Sequence, residues 1–172
     1  MNSVLLCQVN LENGLVAFYP FNGNTDDESG NNQHAAIVNT PILGVDCKNS
    51  PKSAYYFDGI NDYIEVPNNS NINFGISDSF AISVWIKAPF EQANSVGTVS
   101  DILSKWSANL TQPYSYTIRI NNQNNNKPGA IVVARYDGNE NSCNNSSKIE
   151  SNILLNDNRW HNIIFQKGSD SI

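Results

Sequence analysis

Short apolar runs recur along the whole chain, separated by turn-forming residues and without an intervening amphipathic helix of about ten residues or more. Side chains alternate between apolar and polar or exposed types in SFAISVWIKA (79–88) and again in YSYTIRI (114–120). A period of two residues is typical of a strand that buries one face. Many short strands at this spacing predict an all-β fold, a sandwich or jelly roll rather than an α/β fold.

The predicted strands are GLVAFY (14–19), AAIV (35–38), AYYF (54–57), DYIEV (62–66), SFAISVWIKA (79–88), DILSKW (101–106), YSYTIRI (114–120), AIVVARY (130–136), KIESNIL (148–154) and WHNIIFQK (160–167). Asn supplies about one residue in six and favours turns over helices and strands. The Asn-rich tract 121–126 lies between two of these runs and is predicted to be a long hairpin loop.

The size and charge of the chain narrow its function class. Its 172 residues suit one domain, which we assign to residues 14–172, with residues 1–13 as an N-terminal tail. A net charge of -6 with only ten Lys and Arg argues against nucleic acid as a partner. No apolar run approaches the roughly 18 residues of a membrane span, so none is predicted.

The three cysteines show no spacing typical of a zinc site. In an oxidising compartment we expect Cys47 to pair with Cys143, because both lie in polar loops; two free thiols are the alternative. Cys7 belongs to the apolar run SVLLCQ, which is either the end of a clipped secretory signal or a plain first strand or tail.

The stretch PFNGNTDDESGNNQH (20–34) collects three acidic residues, four Asn and two Gly between two apolar runs. Carboxylate, amide and backbone oxygens are the ligands that Ca²⁺ prefers. Asp and Asn also cap backbone amides in ordinary solvated turns. Composition alone leaves both interpretations open.

A second acidic stretch, FDGINDY (57–63), places Asp58 and Asp62 in a tight connection between two predicted strands. Asp-Gly followed by an Asx residue is a strong hairpin signal, and we expect a structural turn. A contribution of Asp58 or Asp62 to metal or sugar binding is the alternative.

The three tryptophans are candidates for stacking on sugar rings. We expect Trp85 and Trp160 to pack in the core or just beneath a covering loop, which leaves Trp106 as the exposed candidate for ligand binding. His34 and His161 each lack a second His or Cys beside them and are expected to be hydrogen-bonded structural residues.

Several segments together resemble a known family: GLVAFYPFNGNTDDESGNNQHAA, AYYFDGINDYIEVPN, SFAISVWIKA, ILSKW and RWHNIIFQK. In order and spacing they resemble the laminin-G-like jelly-roll domains of the concanavalin A-like lectin/glucanase superfamily, as found in secreted bacterial proteins. The resemblance implies two antiparallel sheets packed as a sandwich, with ligands at the rim loops. The family pattern continues with further strands that this sequence lacks, so we expect a fragment that is incomplete at its C-terminal end.

The resemblance also favours calcium at residues 20–34. Asp27 corresponds to the Asp of the family's D-x-S-G segment, and Gly30 permits the positive φ that turns carbonyls inward. We therefore expect Asp27, with Asn24, Asn32 and nearby backbone carbonyls, to hold one Ca²⁺.

The sequence carries no catalytic signature. None of its six Glu has the E-x-D-x-x-E spacing of β-glucan hydrolases, and G-x-S-x-G, H-E-x-x-H and P-loop motifs are absent. We therefore predict a non-catalytic, calcium-stabilised module of a secreted or cell-surface protein that binds carbohydrate. A protein-adhesion or structural spacer domain and an accessory fragment of a glycoside hydrolase are the alternatives.

Overall fold

The computed structural model describes residues 12–75, 77–89, 97, 99–105, 115–136 and 146–168. These residues form ten β-strands and one short 3-10 helix, and none of them lies in an α-helix. Every strand pairs antiparallel with its neighbour. The all-β, antiparallel architecture predicted from the alternating pattern is therefore confirmed.

The strands are β1 (Ala36–Val38), β2 (Ile42–Gly44), β3 (Ala54–Tyr56), β4 (Tyr63–Glu65), β5 (Phe80–Lys87), β6 (Val99–Lys105), β7 (Ser115–Asn121), β8 (Ala130–Tyr136), β9 (Ser146–Leu154) and β10 (Trp160–Lys167), and the 3-10 helix spans Ser70–Ile72. The predicted boundaries of WHNIIFQK coincide with β10. The short strand β2 was not predicted, although β1, β3 and β4, which are equally short, lie within predicted strands.

The chain divides into two compact units. The first comprises Met1–Phe57 and Asp62–Ile72 and contains two small sheets, β1–β4 and β2–β3. The second comprises Asp58–Asn61 and Asn73–Ile172. It contains the two-stranded β5–β10 ribbon and a four-stranded sheet in the order β6-β7-β8-β9.

The second unit has one hydrophobic core, to which both of its sheets contribute. The buried residues of this cluster are Phe80, Ala88, Tyr116, Ile118, Ile120, Ile131, Ile163 and Phe165. Phe80 is its centre, stacked on Phe74 at 4.4 Å between ring centroids and edge-on to Phe165 at 5.5 Å. Two antiparallel sheets that share one apolar layer are the arrangement of a β-sandwich.

A buried arginine crosses this core. The Arg135 side chain is 1% exposed, and its guanidinium carbon lies 5.6 Å from the centroid of the Phe80 ring. Its Nη2 donates hydrogen bonds to the carbonyl oxygens of Phe74 at 3.1 Å and Gly75 at 2.6 Å. These bonds offset part of the cost of removing the charge from water, and they tie β8 to the segment that leads into β5.

The Asn-rich tract forms the predicted hairpin loop. β7 and β8 pair in register on either side of it, and the loop is held by its own amide side chains. Asn124 N–H donates to Asn122 Oδ1 at 2.9 Å, and Lys127 N–H donates to Asn125 Oδ1 at 3.1 Å. Such Asx bonds replace strand pairing in a turn, which explains why the Asn-rich composition is suited to this position.

The prediction of a strand at GLVAFY (14–19) is wrong. Among the described residues this segment pairs with no strand, and several of its backbone groups bond to the following loop instead, including the Phe18 carbonyl, which accepts from the Glu28 N–H at 2.8 Å. The Val16 carbonyl accepts a hydrogen bond from Asn31 Nδ2 at 2.9 Å. The Phe18 N–H donates to Asp27 Oδ1 at 2.9 Å. An apolar run predicts burial, but it does not reveal which groups pair with its backbone.

The structural turn expected at FDGINDY is present, but it does not close the hairpin that its Asp-Gly signal indicated. β3 ends before this stretch and pairs with β2, whereas β4 follows it and pairs with β1. The connection therefore links two different small sheets. The Asp-Gly signal correctly marks a tight turn, but strand pairing depends on longer-range contacts.

Candidate functional site

The loop between residues 14–19 and β1 is organised by one buried carboxylate. Asp27 is 6% exposed, and each of its oxygens accepts two hydrogen bonds. Oδ1 accepts from the backbone N–H groups of Phe18 and Ser29, both at 2.9 Å. Oδ2 accepts from the Ser29 hydroxyl at 2.9 Å and from the Gln33 N–H at 3.0 Å. We call this arrangement the Asp27 clasp, because it joins three parts of the chain through one side chain.

The hydrogen bonds of the clasp favour the charged form of Asp27. Burial alone would raise the pKa of this carboxyl group. The backbone N–H groups of Phe18, Gln33 and Ser29, together with the Ser29 hydroxyl, outweigh burial and lower the pKa to about 2. Asp27 is therefore ionised throughout the physiological range.

The other predicted calcium ligands lie around the clasp. Gly30 and Asn32 both adopt positive φ, at 89° and 54°, so the positive φ predicted at Gly30 is present. Asn24 Oδ1 accepts a hydrogen bond from the Asp26 N–H at 3.1 Å. Among the described residues, no group of three or more His, Cys, Asp and Glu side chains is placed to hold a metal ion. Because four protein donors already use the Asp27 oxygens, a Ca²⁺ there must displace at least one of them, and calcium stays a prediction.

Asp58 and Asp62 both bind backbone amides. Asp58 Oδ1 accepts from the Ile60 N–H at 2.8 Å, which is the hydrogen bond of an Asx turn. Asp62 Oδ1 accepts from the Thr40 N–H at 3.0 Å. These contacts give both residues a structural role in the connections they occupy, and their role in binding a metal or sugar stays a prediction.

The β5–β10 ribbon has one face in the core and one face in solvent. Opposed residues of an antiparallel pair share a face, so the register assigns each side chain. We call the solvent side the outward face. It consists of Ala81, Ser83, Trp85, Lys87, Trp160, Asn162, Ile164 and Gln166. Trp160 lies opposite Lys87, and Asn162 lies opposite Trp85.

The prediction that Trp85 packs in the core is wrong. Trp85 is 53% exposed, whereas Trp160, whose burial was also predicted, is half-buried. The alternation in β5 correctly separates Trp85 from Ile82, Val84 and Ile86, which pack against the core. Alternation does not show whether the second face of a strand is covered. No described segment covers the Trp85 ring.

Polar groups surround Trp85 on the outward face. Asn162 Nδ2 donates to Ser83 Oγ at 3.0 Å, which orients the amide beside the indole. Lys87 is exposed two residues further along β5. The sequence analysis did not select Ser83, Lys87 or Asn162, although the period-two parity of the two strands places them on the face that carries Trp85.

Two predicted site residues lie outside the described residues, namely Trp106, the expected stacking residue, and Cys143, as does Cys7 of the N-terminal run. Cys47 is a half-buried free cysteine in the turn after β2, and its pairing with Cys143 stays a prediction.

An apolar groove of about 400 Å³ lies in the second unit beside β10. The residues that line it are Ile131, Val133, Ile149, Ser151, Ile153, Leu155, His161, Asn162, Ile163 and Ile164. Ile153 and Ile164 are 70% and 67% exposed, so the groove is open to solvent at these residues. Its chemistry suits apolar side chains of a partner.

Both histidines are hydrogen-bonded. His34 Nδ1 accepts from the Asp27 N–H at 3.2 Å, and His161 Nε2 lies 2.8 Å from Asp157 Oδ1. The hydrogen bond from His161 is the main cause that lowers the pKa of Asp157. These contacts agree with the structural role expected for both residues.

Comparisons with protein-family models, with curated proteins and with solved structures find no match to this chain. In the part of the chain that the structure describes, no helix has the length and apolar character needed to cross a membrane.

Proposed function

We propose that the chain is a non-catalytic binding module of a secreted or cell-surface protein, and that it binds carbohydrate on the outward face of the ribbon. Half-exposed Trp85 is the observation that carries this proposal. An indole face suits the C–H patches of a pyranose ring, and a large exposed aromatic side chain is costly in water without a partner. The Asn162 amide, fixed by Ser83, supplies an adjacent group for sugar hydroxyls.

The laminin-G-like jelly-roll topology belongs to the same proposal. It is supported by the shared core of the ribbon and the four-stranded sheet, and by the sequence segments that resemble this family. A sheet face with one aromatic platform and a few polar groups suits shallow recognition of an extended saccharide rather than enclosure of a small molecule.

A glycan array with matched variants tests this function. Trp85→Ala removes the platform, and Tyr56→Ala removes another exposed aromatic ring, 66% exposed, from β3 in the first unit. We expect the wild-type chain to bind particular saccharides and Trp85→Ala to bind them about fivefold more weakly, since stacking contributes on the order of 1 kcal/mol. Tyr56→Ala should bind as the wild type does. Equal loss in both variants, or hydrolysis of the bound saccharide, contradicts the proposal.

Protein adhesion is the second candidate, and the apolar groove beside β10 favours it. Apolar surface open to solvent is a common feature of protein-binding sites. An array without saccharide signals, together with binding to an extracellular-matrix protein that Ile153→Asp abolishes, would replace carbohydrate by protein as the ligand.

Calcium stabilisation is tested separately. Metal-free protein is titrated with millimolar Ca²⁺ in a calorimeter and in thermal melts, in parallel with Asp27→Asn. A melting temperature that rises with Ca²⁺ in the wild type but not in the variant supports one site at the loop. A melting temperature that does not change overturns the calcium component and leaves carbohydrate binding standing.

A further inference from the structure

The outward face has an unusual charge for this chain. Its eight residues include one cation, Lys87, and no carboxylate, although the chain as a whole carries a net charge of -6. The ion pairs formed between described residues do not involve Lys87. The exposed Lys87 ammonium therefore lies on an otherwise uncharged face beside two aromatic rings.

The position of Lys87 relative to these rings follows from the strand register. Trp85 precedes it by two residues on the same face of β5, a separation of about 7 Å between backbone positions. Trp160 lies directly opposite Lys87 on β10, at about 5 Å. A lysine side chain easily spans these separations, so its ammonium can reach a group on the edge of a sugar ring stacked on Trp85.

We propose that the ligand of the outward face is an acidic saccharide, in which a uronate ring stacks on Trp85 and its carboxylate binds the Lys87 ammonium. This inference rests on the proposed carbohydrate function and names the class of sugar. Trp160 extends the aromatic surface beneath the carboxylate side of the ring, and Asn162 contacts the hydroxyls.

The chemistry of the ammonium group favours a carboxylate over a neutral hydroxyl. Lysine offers three donors and no acceptor, so its strongest partner is an anion, with which it forms a charge-assisted hydrogen bond. The net negative charge of the chain opposes this attraction only at short range, because physiological salt screens exposed charges beyond about 8 Å. The groups within that range on the outward face are Lys87 and neutral residues.

Two ligands that differ only in charge test the inference. A galacturonic acid oligosaccharide and its fully methyl-esterified form have the same rings, and their affinities are measured by calorimetry at one fixed Ca²⁺ concentration. The wild-type chain should bind the acid about tenfold more tightly than the ester, and added salt should reduce this preference.

Variants of the cation give the second comparison. Lys87→Met keeps the aliphatic length but removes the charge, and it should bind the acid and the ester with equal affinity. Lys87→Arg should retain the preference. Lys148→Met, which removes another exposed lysine from β9, should behave as the wild type does. Circular dichroism verifies that each variant is folded.

The possible results separate this inference from the function on which it rests. A preference for the acid that Lys87→Met abolishes and Lys87→Arg keeps supports the inference. Binding of acid and ester with equal affinity, unaffected by Lys87→Met but weakened by Trp85→Ala, overturns the acidic-sugar inference and retains carbohydrate binding. Absence of binding to every saccharide tested overturns both.

Discussion

Residues 14–19 and strand β7 both come from apolar runs that predict strands, but their backbones form hydrogen bonds in different ways. β7 pairs with β6 on one side and β8 on the other, so its hydrogen bonds are spread over two ladders. Residues 14–19 bond instead to the following loop: Phe18 N–H donates to Asp27, the Phe18 carbonyl accepts from the Glu28 N–H, and the Val16 carbonyl accepts from Asn31 Nδ2. The comparison shows that a polar loop can replace a neighbouring strand, with Asp27 joining this segment to the Ser29 and Gln33 amides of the loop.

The largest loss of stability is expected when a buried side chain of β7 is truncated. Ile118 is fully buried, and Ile118→Ala should lower the free energy of unfolding by about 4 kcal/mol through lost apolar contacts and a new cavity. Urea denaturation measures this loss. Ile164→Ala, at a position 67% exposed, is the control and should cost less than about 1 kcal/mol. Equal losses at the two positions would contradict the core described above.

The next effect concerns the clasp itself. Asp27→Ala should cost about 2 to 3 kcal/mol, because the N–H groups of Phe18, Ser29 and Gln33 lose their acceptor. Hydrogen exchange should accelerate at these amides and remain slow in β7. Asp26→Ala, beside it but largely exposed, should leave their exchange unchanged. Uniformly faster hydrogen exchange across the chain would show that the clasp does not act on this loop alone.

Acidification is expected to lower the free energy of unfolding by a smaller amount. The pKa of Asp27 is about 2 in the folded chain and 3.8 when unperturbed, so the clasp contributes stability that is present above pH 3.8 and is lost as the pH falls through about 2. The contribution is about 1 to 2 kcal/mol after allowance for solvent screening. Stability measured as a function of pH should decline over this window in the wild type. In Asp27→Asn this part of the decline should be absent, and an identical decline would exclude Asp27 as its source.

The smallest effect on stability is expected at Trp85. Because its ring is half-exposed on the outward face, Trp85→Ala should change the free energy of unfolding by about 1 kcal/mol or less. Urea denaturation alongside Ile118→Ala gives a direct comparison. A loss as large as that of Ile118→Ala would show that Trp85 is buried, as the sequence predicted. It would then contradict the proposed sugar platform.

The fold is predictable from the sequence where a strand buries one face and is long enough to show a clear apolar–polar alternation. β5 and β10 illustrate this, since their alternation gives both the strand boundaries and the separation of Trp85 from the core residues. The prediction of burial at Trp85 is wrong because periodicity identifies two faces but does not identify what covers the second one. The missed group of Ser83, Lys87 and Asn162 becomes visible only when the two strands are placed in register.

Residues 20–34 show what the sequence alone does not predict. Its composition correctly indicates many oxygen acceptors and a positive φ at Gly30. Composition does not distinguish acceptors that bind a cation from acceptors that bind backbone amides, because both use the same oxygens. The four donors around Asp27 come partly from residues 14–19, and their approach depends on the fold of the whole segment.

The residues of the Asp27 clasp are close in sequence, so the clasp can form early during synthesis. Its partners lie within nine residues of Asp27, so this loop can close soon after Gln33 leaves the ribosome. The ribbon behaves differently, because Ser83 in β5 meets Asn162 in β10 across 79 residues. Until β10 emerges, the edge of β5 that pairs with β10 is open, and Ile163 and Phe165 are missing from the core. A nascent chain with an unpaired strand edge and an incomplete core is prone to aggregate and depends on chaperones.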